Sequence, residues 1–215
     1  MSATKGKFIV FEGIDGSGKT TQAKLLAKKL ADAGREVYLT AEPTAYPTGV
    51  ALRQALGGKV KKTECEMAAM FVEDRIAHNT HPTDGITALI DRGVDVICDR
   101  YYYSTLAYQG QTTDYGWVKA MNLQCPEIRK PDLCIYVDLL PEQSLERIRA
   151  GRDSVEIYEN AETLSAVRER FLSVITDLSE TDSIRVVDGY RSVDDVATEI
   201  AQIVSELLKD SNICL

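Results

Sequence analysis

The 215-residue sequence predicts an α/β protein, a parallel sheet with helices on both faces. Two observations carry that prediction. Short, continuously apolar runs alternate with amphipathic stretches along almost the whole chain, and strands apolar at every residue are buried on both faces. A glycine-rich turn also follows the first apolar run and opens the first helix. A chain of this length buries enough surface for a core without staples. With no internal repeat and no low-complexity linker, it is expected to form one domain over residues 1–215.

The elements follow in order. Residues 7–12 (KFIVFE) read as a buried strand. A helix is expected over about 18–33, because Ala23, Leu26, Ala27 and Leu30 fall at i, i+3, i+4 and i+7, and Gly34 stops it. Residues 36–41 (EVYLTA) are a second strand, and 42–49, with two prolines, begins as loop. Thr63 and Glu66 form a capping-box pair that opens a helix through Met67, Met70 and Phe71. Another helix runs to Asp91. Residues 94–99 (VDVICD) form the third strand, followed by helices over about 104–109 and 115–123. Residues 133–139 (LCIYVDL) are the fourth strand, and Pro141 takes the first position of the next helix. Leu164, Val167, Phe171, Val174, Ile175 and Leu178 stripe another. Residues 184–188 are the fifth strand. Ser192 and Asp195 cap the last helix, whose face is Val196, Ala197, Ile200, Val204 and Leu207. Residues 151–158 are polar, charged and without period, and read as a flap.

Charge narrows the partners. With 25 basic and 33 acidic residues the net charge is −8, which argues against non-specific nucleic-acid binding. Small anionic ligands stay open, because a pocket can be locally positive. The cysteines Cys65, Cys98, Cys125, Cys134 and Cys214 are odd in number and form no CxxC, so free thiols in a reducing compartment are expected. His78 and His81 have no third partner in a ligand pattern, and no resident metal centre is expected from them. No apolar run approaches the roughly 18 residues of a membrane span. With no signal peptide at the start, the cytoplasm is the expected compartment.

One motif carries chemistry. Gly13-Ile14-Asp15-Gly16-Ser17-Gly18-Lys19-Thr20 fits GxxxxGK[ST], between an apolar strand and an amphipathic helix. Its glycines let successive N–H groups converge on a phosphate, and the helix N-terminus adds partial positive charge. Lys19 is expected to reach the β- and γ-phosphates of a nucleoside triphosphate, and the Thr20 hydroxyl to ligate Mg²⁺. Thr21 extends the phosphate-binding set.

Three classes use such a loop. A regulatory GTPase needs NKxD and a DxxG switch; the first is absent, and the second occurs only within residues 15–18 of the loop itself. A motor ATPase usually carries DE at a strand end, whereas the strands here end in Asp99-Arg100 and Asp138-Leu139. A small-molecule kinase needs a second anion site and a flap that excludes water. Asp99-Arg100 supplies the first at the carboxyl edge of the sheet. Asp99 is placed to hold Mg²⁺, and Arg100 to grip an acceptor phosphate with paired N–H groups. A structural ion pair is the plain alternative. Arg147, Arg149 and Arg152 flank Gly151 and supply the second, although arginine also suits any helix C-terminus. Another small-molecule kinase and a non-catalytic nucleotide-binding regulator remain the alternative functions.

The chain resembles the thymidylate kinase family from residue 8 to about 207. FEGIDGSGKTTQ at 11–22 is similar to the family's opening motif, and DRYYYSTLAYQG at 99–110 to its second, more specific signature. PDLCIYVDL at 131–139 and EIYEN at 156–160 are similar to its fourth strand and post-flap segment. The resemblance implies a three-layer P-loop kinase fold with strand order 2-3-1-4-5, a short lid over about 148–159, and a homodimer. It implies phosphorylation of dTMP to dTDP by ATP and Mg²⁺, a step in dTTP supply. Asp15 would then accept from the sugar 3′-hydroxyl. Phe71 would stack on thymine, unless it packs in the core with Met67 and Met70. Arg75 would reach O4, Arg100 would hold the 5′-phosphate, and Thr105 and Gln109 would face the base edge. Tyr108 would pack under the sugar. The loop has Gly16 where some members have a basic residue, so Arg149 and Arg152 are the expected catalytic arginines. Ala41 and Thr44 flank Glu42-Pro43 where the family often has arginine, so one phosphate contact is either missing or supplied by Arg53. Ile157 likewise replaces a common arginine.

Overall fold

The computed structural model describes residues 5–151 and 161–208. Arg152, Ile157 and most of the expected lid lie outside them. Five strands form one sheet: β1 (Phe8–Glu12), β2 (Val37–Ala41), β3 (Asp95–Asp99), β4 (Leu133–Asp138) and β5 (Ile184–Asp188). All pairs are parallel and the order is β2-β3-β1-β4-β5, as the resemblance implied.

The central strand explains why the sheet is covered twice. Every residue of β1 is buried, and successive side chains point to opposite faces. Ile9 and Phe11 join Ile97 and Ile135 in a core beneath α1 (Lys19–Asp32) and α9 (Val193–Leu207). Phe8 and Val10 join Val96, Cys98 and Tyr136 in the opposite core, packed on α5 (Tyr102–Thr112) and α8 (Ala161–Leu178). The edge strands β2 and β5 are only half covered. The stripe read from Leu164 to Leu178 is the buried face of α8, with Ile175 at its margin.

Caps sit where the sequence put them. Thr63 and Glu66 close the capping box of α3 (Glu64–Thr80), and Ser192 accepts from the Asp195 N–H at the start of α9. Pro141 begins α7 (Pro141–Gly151). The stretch after β2 begins as loop, as read, and α2 (Pro47–Leu56), a helix the sequence reading did not include, starts within it. Pro47 is the first helical residue, where the missing N–H is no loss, and Leu52 anchors the helix fully buried. The remaining helices are α4 (Ile86–Asp91) and α6 (Tyr115–Leu123).

Candidate active site

The carboxyl ends of β1 and β3 lie side by side, and the site grows from both. After β1 the chain enters the phosphate loop, where Gly13, Gly16 and Gly18 take φ of 150°, 77° and 96°. Only glycine holds such angles without strain. A Cβ on Gly13 would fall 2.6 Å from Ser17 Oγ and from the Val137 carbonyl. Gly18 is the N-cap of α1 and no side chain caps that helix, which leaves its first N–H groups for an anion. Ser17 Oγ is buried and without a partner. The loop is braced from α7: the Ser144 hydroxyl donates to the Asp15 carbonyl, and Arg147 Nη1 to the Ser17 carbonyl at 3.3 Å.

Lys19 is buried with its Nζ 3.4 Å from both the Ile14 carbonyl and Asp15 Oδ1. Burial, and then the charge of Arg100, pull its ammonium below the ordinary lysine range, while Asp15, Asp99 and Glu12 oppose them. A cleft of about 560 Å³ opens over the loop. Lys19, Thr20, Arg147, Gly189, Arg191 and Val193 form much of its wall. Arg147 Nη2 donates to the Gly189 carbonyl at 2.7 Å and Gln22 Nε2 to the Val193 carbonyl at 2.9 Å, which fixes the turn after β5 against the loop.

The second half of the site follows β3. The Arg100 N–H donates to the Phe11 carbonyl, and the residue takes a left-handed φ of 70°. A non-glycine residue held there stores strain, a feature that clusters at functional sites. Arg100 Nη2 pairs with Asp15 Oδ1, Nη1 donates to Ser104 Oγ at 3.0 Å, and the guanidinium lies 5.5 Å from the Tyr108 ring centroid. Burial opposes its charge, but Tyr108, Asp15, Glu12 and Asp99 outweigh it and keep the guanidinium protonated. Burial alone would also raise Asp15; Arg100 and Lys19 reverse that and hold its carboxyl below the usual range. Asp15 thus joins Lys19 and Arg100, three of the expected site residues, in one cluster.

Thr20 and Asp99 are also brought together. The Thr20 hydroxyl donates to Asp99 Oδ2, and Asp99 Oδ1 is buried with no partner. An orphaned carboxylate oxygen beside a hydroxyl is the donor set a hard cation takes when phosphates complete its shell, so these two residues fit Mg²⁺. Among the described residues no group of three or more His, Cys, Asp or Glu side chains is arranged for a metal ion. His78 instead faces Glu42 and Thr40 through its two ring nitrogens, at 2.9 Å each.

Arg75 and Thr105 meet in a second, buried network. Arg75 is 1% exposed; Nε and Nη2 donate to Glu42 Oε2 at 2.9 and 2.6 Å, Nη2 reaches Thr105 Oγ1 at 3.1 Å, and Nη1 reaches Asn122. These contacts use four of its five N–H groups. Phe71 is partly exposed and belongs to neither core, so it is not the core residue its neighbours Met67 and Met70 suggested. Tyr108 packs edge-on against Phe171 and leaves its buried hydroxyl unpartnered, and Gln109 is half-buried beside it. Arg53, in the last turn of α2, is turned back to the loop before that helix, donating to the Pro43 and Thr44 carbonyls at 2.6 Å each. Thr21 is exposed at the start of α1, and Arg149 is exposed on α7.

Ser144, Arg147 and Glu12 complete the site. Arg147 was legible only as one of three flap arginines, and Ser144 left no sequence signal, because both act through the packing of α7 on the loop. Glu12 did leave one: it is a carboxylate ending an otherwise apolar strand.

The model of the thymidylate kinase family matches residues 11–200. A probable thymidylate kinase of Pyrococcus horikoshii is 38% identical over 212 residues, covering 95% of this chain and 98% of that protein. One from Methanococcus aeolicus is 42% identical over 174 residues, 80% of each chain. A thymidylate kinase of Desulfotalea psychrophila is 36% identical over 211 residues, 97% of this chain and 99% of its own. With the phosphate loop, the sheet order and the match to that model in agreement, the chain belongs to the thymidylate kinase family.

Proposed function

We propose that the chain transfers the γ-phosphoryl group of ATP to dTMP, giving dTDP and ADP. The observation that carries this reading is the convergence of two phosphate-class cations, Lys19 and Arg100, on the single carboxylate of Asp15. A kinase must hold two polyanions close together against their repulsion, and this cluster supplies positive charge from both sides.

Chemistry of this class is mostly positioning and charge neutralisation. The loop N–H groups from Gly13 to Thr21 cradle the donor phosphates, and Lys19 neutralises them. Arg100 turns paired donors to the dTMP phosphate. That phosphate is already an anion, so no general base is required. Asp15 orients both cations and accepts from the sugar 3′-hydroxyl. Phe71 forms the flat wall for thymine, Arg75 donates to O4 through its remaining N–H, and Thr105 and Gln109 face the base edge. Tyr108 lies under the sugar. Arg53 supports the acceptor side through the 43–44 backbone, and Arg149 and Arg152 offset charge on the transferring group. Thr20 and Asp99 would hold Mg²⁺, which when bound neutralises charge on the phosphate oxygens. The described cysteines are free thiols, which supports a cytoplasmic setting. Among the described residues no helix is long and apolar enough to cross a membrane. Val50, Leu56, Trp117 and Leu123 are exposed apolar residues on α2 and α6 and support a homodimer.

A coupled assay with dTMP, dUMP, UMP, CMP and AMP as acceptors tests the function. Turnover restricted to dTMP, with weaker use of dUMP, is expected. Preference for another monophosphate would reassign the acceptor, and ATP hydrolysis without any acceptor would replace the kinase by a regulator.

A further inference from the structure

Glu12 closes β1 with no exposed surface. A carboxylate at such a place is unfavourable unless its oxygens are fully bonded, and burial pushes this one up to about 7 against the pull of Arg100 and its hydrogen-bond donors. All of those donors come from one place. Oε1 accepts from the Tyr101 N–H at 2.7 Å and the Ser104 N–H at 3.1 Å, and Oε2 accepts from the Ser104 hydroxyl at 2.6 Å. These backbone groups open α5, a helix whose own N-cap, Tyr101, supplies no capping side chain. Glu12 therefore caps α5 from a neighbouring strand.

The cap bears directly on Arg100. Its N–H is fixed by Phe11 and the next N–H by Glu12, so the left-handed residue is clamped on both sides. The side chain is aimed by the same carboxylate at one remove. The Ser104 hydroxyl gives its single hydrogen to Glu12 Oε2, which leaves its lone pairs to accept from Arg100 Nη1 at 3.0 Å. A continuous chain thus runs from Glu12 through Ser104 and Arg100 to Asp15.

We propose that Glu12 is a positioning residue for the acceptor phosphate, holding the Arg100 backbone in its left-handed turn and aiming its guanidinium through Ser104. The inference rests on the reading that Arg100 holds that phosphate. Glu12→Gln is nearly isosteric and keeps one oxygen for the two N–H groups. It puts an NH₂ where Oε2 was, so the Ser104 hydroxyl must turn away and the charge-assisted chain to Arg100 is lost. Ser104→Ala breaks the same chain but leaves the Glu12 bond to Tyr101.

Steady-state kinetics on the full chain, with thermal melting alongside, tests this. Both variants should raise the dTMP KM roughly tenfold, the scale of one hydrogen bond to a charged group, while the ATP KM moves less than about twofold. If Glu12→Gln does not fold, Ser104→Ala alone decides. An unchanged dTMP KM in these variants, with a raised one in Arg100→Ala, overturns the inference and leaves the reading of Arg100 standing. Equal rises in the dTMP and ATP KM overturn it too, because they mark general damage to the loop. An unchanged dTMP KM in Arg100→Ala itself overturns the reading beneath it.

Discussion

Arg75 and Arg100 both pair with a carboxylate, yet their surroundings suit them to opposite tasks. Arg75 and Glu42 are almost wholly buried, and every carboxylate oxygen of Glu42 is engaged, one by Arg75 and the other by His78. Arg100 and Asp15 are partly exposed, at 21% and 41% of their side chains, and Arg100 sits on a strained backbone. Around the second pair lie buried atoms without partners, on Ser17, Asp99 and Tyr108. A closed buried pair cannot release its partner without stranding a charge, so it works as a rigid wall. An open pair can surrender its carboxylate to water and turn its donors to an incoming anion. The difference suits Arg75 to shaping a pocket and Arg100 to taking up a ligand.

The open cluster is most sharply tested at Lys19. Lys19→Ala is expected to lower kcat by at least about 10³-fold, the loss seen when a preorganised charge is removed from a phosphoryl-transfer site. The melting temperature should hold or rise, since a cation disfavoured by burial is removed. Turnover near that of the unaltered chain would show that the open cluster is not where charge is neutralised.

The closed pair should break differently. Arg75→Ala leaves Glu42 buried and without its guanidinium, and a loss of about 3–5 kcal/mol is expected in urea unfolding. In whatever fraction stays folded, the dTMP KM should rise far more than the ATP KM. Arg100→Ala, at the open pair, should lower stability by no more than about 1 kcal/mol. Equal losses from the two arginines would erase the distinction between wall and receptor.

How much of this was readable in the sequence follows the same division. Features fixed by neighbouring residues were legible: the glycine loop, the Thr63–Glu66 box, Pro141 at a helix start, and the two-faced apolar strands. The Asp99-Arg100 pair was legible because it ends an apolar run, where ligands meet a parallel sheet. What depends on residues far apart in the chain was not. Glu42 and Arg75 are 33 positions apart and Asn122 lies 47 beyond Arg75, so no local spacing shows that they close one network. The α2 helix was hidden for a different reason: Pro47 reads as a breaker unless its position as the first helical residue is known.

Phe71 carries the smallest expected effect and draws the boundary between wall and core. Its neighbours Met67 and Met70 suggest an apolar helix face, but all three are only partly buried and outside both cores. Phe171, by contrast, has no exposed surface and packs on Tyr136 and Tyr108. Phe171→Ala should therefore cost about 3–5 kcal/mol of stability, as large core truncations do. Phe71→Ala should cost less than about 1.5 kcal/mol, because little surface returns to water. Its effect should appear in the dTMP KM, through loss of a base-stacking contact of about 1–3 kcal/mol. Urea unfolding and dTMP kinetics on the two variants separate the cases. Were Phe71→Ala to unfold as readily as Phe171→Ala with its dTMP KM unchanged, Phe71 would be a packing residue and the thymine wall would have to be sought elsewhere.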